Sequence, residues 1–199
     1  NQEEFVYDLA SKIAVTMETL QGKMLVLFTS FTMLKSTYEA LRPYAEEMNI
    51  PLFAQGVSGG SRAKLMKSFK QMDEGILFGL SSFWEGIDLP NEELTTLVIV
   101  RLPFSSPEQP LFAAKAKRLE DNGGNSFIDL SLPQAVLRFK QGFGRLIRTK
   151  RDRGVVIVFD KRMIEKSYGK IFLKSLPKTV VKSGKLADLL EEMSSFQGR

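Results

Sequence analysis

The sequence contains no cysteine and no histidine in 199 residues. The first absence excludes disulfides and iron–sulfur ligation within the chain, and the two together remove the usual zinc ligands. They also exclude a serine–histidine or cysteine–histidine nucleophile. Long hydrophobic runs are missing as well. The longest are of strand length, which leaves nothing to span a membrane, and the start has no signal-peptide character. That start, "NQEEF", lacks a methionine and reads as the interior of a longer polypeptide. Neither sign of charge is scarce: 28 Lys and Arg against 23 Asp and Glu leave a net charge of +5. A modest basic excess permits a polyanionic partner without requiring one. With 43% apolar and 26% charged residues, the composition is that of an ordinary globular domain, and residues 1–199 are expected to form one unit around a single core.

Periodicity organises the chain. Phe5, Leu9, Ile13 and Met17 recur at steps of four, a helical stripe over residues 2–20. Met24 to Phe28 reads as a short buried strand, and a helix follows whose start is marked by Ser30 or Thr32 and which Pro43 is expected to end or kink. "PLFAQ" is a weak strand, Ser61 opens a helix, Gly75 to Leu80 and Thr96 to Val100 are strands, a charged helix lies near 111–120, and Gly154 to Asp160 is the last clear strand. Strands that are apolar throughout and alternate with helices predict an α/β fold: a mainly parallel sheet covered by helices on both faces. Ligands of such sheets sit beyond the carboxyl ends of the strands. The loops "TSFT", "SSFWEGIDLP" and "RLPFSSP" therefore become the candidate site.

"QGFGRLIR", Gln141 to Arg148, is the stretch that fits the pattern least. Ser131 can cap the helix that approaches it, Pro133 suits a first helical position, and Ala135, Val136, Leu137 and Phe139 supply apolar positions. Two glycines then each cost about 1 kcal/mol against alanine in a helix interior. One account is close packing of the backbone or a helix end at Gly142. The other turns on Arg145 and Arg148, which are three apart and would share a helical face with Gln141 one turn earlier, while Gly144 clears the space beside them. Two guanidinium forks offered together suit a polyphosphate.

Two familiar phosphate-binding devices are absent. Ile147 stands where the third glycine of G-x-G-x-x-G belongs, and a helix rather than a strand precedes the pair. Gly22-Lys23 and Gly184-Lys185 are followed by Met24 and Leu186 and lack the upstream glycine of a P-loop. An arginine pair without a phosphate cradle suggests half of a site, completed by another domain.

"GLSSFWEGIDLP", "QGFGRLIR" and "VLFTSF", with the trailing "RDRGVVIVFDKR" and "YGKIFLKSLP", resemble motifs V, VI and IV of the second RecA-like domain of superfamily 2 helicases, in the DinG and XPD branch. The resemblance runs from about Leu25 to Pro177 and implies a RecA-like, P-loop NTPase-type three-layer fold. It also implies roles. Arg145 and Arg148 would be arginine fingers reaching the γ-phosphate of ATP held, with Mg2+, by the first domain, a contribution of about 10³ to 10⁵ in rate. Gln141 and Gly144 would lie beside the nucleotide. Asp88 would bond the ribose or orient an arginine, Glu85 would couple nucleotide state to the bound strand, and Gly86 would give the backbone room between them. Phe83 and Trp84 are read as core anchors.

Single-stranded DNA and the first RecA-like domain of the same polypeptide are the implied partners, and the implied setting is the cytoplasm. The strand's backbone would be held by loop amides, hydroxyls and helix N-termini: Thr29, Ser30 and Thr32 at one helix, and Gln55, Gly56, Ser61 and Arg62 at another. A flexible turn is the alternative for the glycines of "QGVSGGSR". The expected function is the second motor domain of an ATP-dependent DNA helicase, inactive alone. Two rivals remain: a regulatory or DNA-positioning module of a 3'-5' exonuclease with a helicase-like region, and a non-catalytic nucleic-acid clamp.

Overall fold

A computed structural model describes residues 2–84, 94–147 and 152–197. Among these, five strands form one parallel sheet: β1 (Lys23–Leu27), β2 (Leu52–Ala54), β3 (Gly75–Gly79), β4 (Leu94–Ile99) and β5 (Val155–Val158), in the order β2-β3-β1-β4-β5. Every residue of β1 and β3 is buried, as expected of strands covered on both faces. Alternation assigns the faces. Met24, Val26 and Phe28 join a core with Leu9, Ile13 and Met17 of α1 (Gln2–Leu20), Leu34 and Leu41 of α2 (Phe31–Glu47) and Leu190 of α9 (Leu186–Gln197). Leu25 and Leu27 point the other way. They meet Met66 and Phe69 of α3 (Arg62–Gln71), Phe83 and Trp84 of α4 (Ser81–Trp84), Phe139 of α6 (Leu132–Phe143) and Phe172 of α8 (Gly169–Lys174). The remaining helices are α5 (Pro110–Asp121) and α7 (Arg162–Glu165).

Three local expectations change. Pro43 does not end α2, which continues to Glu47. The carbonyl its missing N–H would have met belongs to Glu39, on an exposed side of the helix, where water can take the bond. Ser131 is not a cap: its backbone is helical (φ −66°, ψ −50°) and it makes no capping bond. A π-helical turn, Ser126–Ser131, runs directly into α6, and Asn125 caps that turn by accepting from the N–H groups of Phe127 and Ile128 at 3.0 and 2.9 Å. Leu137, expected on the apolar face, is 57% exposed. The buried stripe of α6 is Leu132, Ala135, Phe139 and Gly142, so a glycine occupies a core position.

The carboxyl ends of the strands are knitted together beyond their formal limits. Phe28 N–H donates to the Gly79 carbonyl at 2.9 Å, Gln55 N–H to Phe78 at 3.0 Å, Val100 N–H to Leu27 at 3.2 Å and Phe159 N–H to Ile99 at 3.0 Å. These bonds fix where each following loop leaves the sheet.

Candidate functional site

Trp84 joins all three motif regions. It ends α4, which follows β3 after a single residue, and it is 2% exposed, as its reading as a core anchor requires. Phe83 beside it is fully buried. The indole Nε1 donates to the carbonyl of Phe28, at the end of β1, at 3.3 Å. The six-membered ring lies against Gly142 of α6, where a Cβ would stand 2.7 Å from Cε3 and 2.9 Å from Cζ3. Trp84's own carbonyl accepts from Arg145, Nε at 3.3 Å and Nη2 at 3.0 Å. Gln55 ties down the start of the same segment: its Oε1 accepts from Leu80 N–H at 2.9 Å and its Nε2 donates to Ser82 Oγ at 3.0 Å.

This geometry corrects the helical-face account of the arginines. Helix α6 ends at Phe143, Gly144 is its C-cap (φ −65°, ψ −3°), and a tight turn follows in which Arg145 N–H donates to Gly142 and Leu146 N–H to Phe143. Arg145 therefore lies beyond the helix, half-buried, while Gln141 is exposed on its last turn. The close-packing account of the glycines holds for Gly142. At Gly144 a Cβ would meet only the carbonyls of Lys140 and Gln141, at 3.4 and 3.5 Å, so a methyl group would fit there. Arg148, Glu85, Gly86 and Asp88 lie outside the described residues.

The two loops expected at a nucleic-acid strand are neighbours. Ser30 caps α2 by accepting from Met33 N–H at 3.4 Å, and Ser61 caps α3 by accepting from Lys64 N–H at 3.3 Å. Both helices thus present first-turn amides and the positive end of their dipoles at the carboxyl side of the sheet. Thr29, Ser30 and Thr32 are exposed. Gly56 has φ +74°, a left-handed conformation that favours glycine, and a Cβ there would lie 3.1 Å from Phe31 Cε2. The Phe31 ring, 47% exposed, therefore bridges the loops. Sequence reasoning missed Phe31, because an aromatic opening an amphipathic helix looks like core; its position one residue after the cap was the available signal. Arg62 places its guanidinium 5.6 Å from the Phe83 ring centre. Arg62 and Gln55 thus bind α4 as well as facing the loop.

A second polar cluster closes the β4–β5 end. Asp160, 2% exposed, accepts from Leu102 N–H at 2.8 Å and Arg162 N–H at 3.0 Å, and takes the Arg162 guanidinium on both oxygens. Burial works to raise its pKa, but the Arg162 and Leu102 hydrogen bonds outweigh it and hold the carboxyl below its ordinary value. The hydrogen bond to Asp160 in turn raises the pKa of Arg162, against the opposing effect of burial. Among the described residues no group of three or more acidic side chains is placed to hold a metal ion. None of their helices is long and apolar enough to cross a membrane.

A doubly wound parallel sheet with these loops gathered at its strand ends is a RecA-like domain, and comparison with known proteins makes the class specific. The helicase C-terminal domain family matches residues 13–179, and the chain belongs to that family. It is 48% identical over 180 residues to 3'-5' exonuclease DinG of Bacillus subtilis, covering 90% of this chain and 19% of that protein. It is 38% identical over 177 residues to ATP-dependent DNA helicase YoaA of Haemophilus influenzae, covering 89% of this chain and 27% of that protein. The chain thus spans 19% and 27% of the lengths of these relatives. In fold it is similar to an XPD helicase (TM-score 0.58, 22% identity, 89% of this chain and 32% of that one). It is also similar to the second helicase domain of the DEAD-box protein Mss116p (TM-score 0.55, 13% identity, 98% of this chain and 66% of that one).

Proposed function

We propose that the chain is the second motor domain of an ATP-dependent DNA helicase, supplying Arg145 and Arg148 to ATP bound on a first domain and gripping one DNA strand through residues 29–32 and 55–62. The observation that carries the reading is the convergence on Trp84 of the end of β1, helix α4 and Arg145. The described parts of the three segments that resemble motifs IV, V and VI meet there. Arg145 is anchored by the Trp84 carbonyl, so it serves the phosphates from a fixed base, and Arg148, three residues on in the sequence, is the second finger. ATP supplies the free energy of strand movement. Within this chain, the arginines orient and neutralise its terminal phosphate, Gln141 lies nearby on α6, and Glu85, Gly86 and Asp88 take the nucleotide-side roles that the resemblance gives them. The sequence has no P-loop, and in this reading the nucleotide and its metal are held mainly by the first domain. The cytoplasm is the setting this reading gives the protein.

Strand binding rests on the two capped helix N-termini, the amides around Gly56 and the hydroxyls of Thr29 and Thr32, with the Phe31 ring lying between the loops. Steady-state ATP hydrolysis tests the reading: the intact polypeptide should turn over ATP with stimulation by single-stranded DNA, and the chain alone should not. Turnover by the chain alone that disappears on mutating one of its own residues would overturn it.

The 48% identity to an exonuclease favours one further reading, in which the parent's principal chemistry is nucleolytic and this module positions DNA. Strand-stimulated ATP turnover by the intact polypeptide separates the two.

A further inference from the structure

Trp84 is the sole tryptophan of the sequence, and the roles above give its side chain no part beyond holding the motif segments together. Its three contacts point to more. We propose that Trp84 is a positioning residue that transmits strand occupancy at residues 29–32 to Arg145. The inference rests on the proposed function and names the element through which that function's two half-sites communicate.

The input is the Phe28 carbonyl, which receives the indole N–H at 3.3 Å and is covalently adjacent to Thr29, the first residue of the strand-facing loop. The output is the Trp84 carbonyl, which holds the Arg145 guanidinium at 3.0 and 3.3 Å. Between them lies a rigid two-ring body that cannot absorb a displacement by bending. Its six-membered ring is pressed on Gly142, with too little space even for a methyl group, and a Cβ there would also meet Leu27 Cδ1 at 3.3 Å. A close-packed contact of this kind passes on a small shift, because interiors have no slack to take it up. When phosphates engage Thr29 to Thr32 and the end of β1 adjusts, the indole must move with the Phe28 carbonyl or lose its hydrogen bond. Either response moves the end of α4 and the carbonyl on which Arg145 rests. Only tryptophan joins a single N–H donor to a fused two-ring apolar body. Phenylalanine would keep part of the packing and remove the donor.

Two measurements test the proposal. In the chain itself, all tryptophan emission comes from Trp84, which is 2% exposed and shielded from direct contact with bases. Titration with oligo(dT) should shift or quench that emission along the same saturation curve as the anisotropy of a labelled oligo(dT). Binding seen by anisotropy with unchanged emission would overturn the proposal and leave the proposed function standing. No binding by anisotropy would overturn both. In the intact polypeptide, Trp84→Phe should lower the ratio of DNA-stimulated to unstimulated ATP hydrolysis at least fivefold, with little change in the DNA concentration giving half-maximal stimulation. A residue that only packs would lower the melting temperature and scale both rates together, leaving the ratio unchanged, and that result would contradict the coupling role.

Discussion

Gly142 packs against the six-membered ring of Trp84, so close that a Cβ would stand 2.7 Å from Cε3. The two glycines of "QGFGRLIR" should therefore respond oppositely to alanine. Gly142→Ala gains helix propensity but forces a methyl group into a filled core, a net loss of about 1–3 kcal/mol. Gly144→Ala has room at an ordinary φ of −65° and should be neutral or stabilising by about 0.4–1 kcal/mol, through a less flexible unfolded chain. Urea unfolding midpoints of the two variants measure the contrast.

Asp160 should make stability fall in acid. Its folded pKa lies below the unfolded value of about 3.9, so the carboxylate's contribution is complete above that pH and is lost as pH falls through the folded pKa. Asp160→Asn should lower stability at neutral pH by about 1–3 kcal/mol, the cost of leaving a buried partner such as the Leu102 N–H poorly satisfied. It should also flatten the decline between about pH 5 and pH 2. Denaturant melts across that range compare the two proteins.

Thr96 carries a buried hydroxyl with no hydrogen-bond partner among the described residues. Thr96→Val keeps the shape and the β-branch, removes the unsatisfied group, and should stabilise by about 1 kcal/mol, near the low end of the 1–3 kcal/mol such a group costs. A shift of the thermal midpoint upward is the expected readout; a fall would mean that the hydroxyl has a partner.

What was legible in the sequence was whatever depends on local period and local chemistry. The alternation of apolar strands with helices gave the parallel sheet, and Ser30 and Ser61 were identifiable as caps because a cap needs only its own next few residues. The relations that build the site are of another kind. Gly142 is a glycine because of Trp84, 58 residues earlier, and Gln55 has its amide bound to Leu80 and Ser82 across 25 and 27 residues. No period encodes these contacts. The turn at Gly144 was also hidden, since Arg145 and Arg148 fit a helical spacing that the backbone abandons at Phe143.

Strand binding by the chain should be weak and salt-sensitive, each phosphate contact adding a slope of about −0.7 in log affinity against log salt. Arg62→Ala combined with Ser30→Ala should reduce both affinity and slope. If neither changed, the strand would run elsewhere than across the N-termini of α2 and α3.

The central claim, that this domain completes an ATP site it does not itself contain, is tested most directly by Arg148→Ala. ATP turnover by the intact polypeptide and thermal unfolding of the chain are measured on the same substitution. A finger directed at a nucleotide on another domain contributes to rate rather than to folding, so turnover should fall at least about a hundredfold with the melting temperature unchanged. A large drop in melting temperature with a proportionate loss of activity would instead make Arg148 a structural arginine, and the reading of "QGFGRLIR" as a phosphate-directed motif would be wrong.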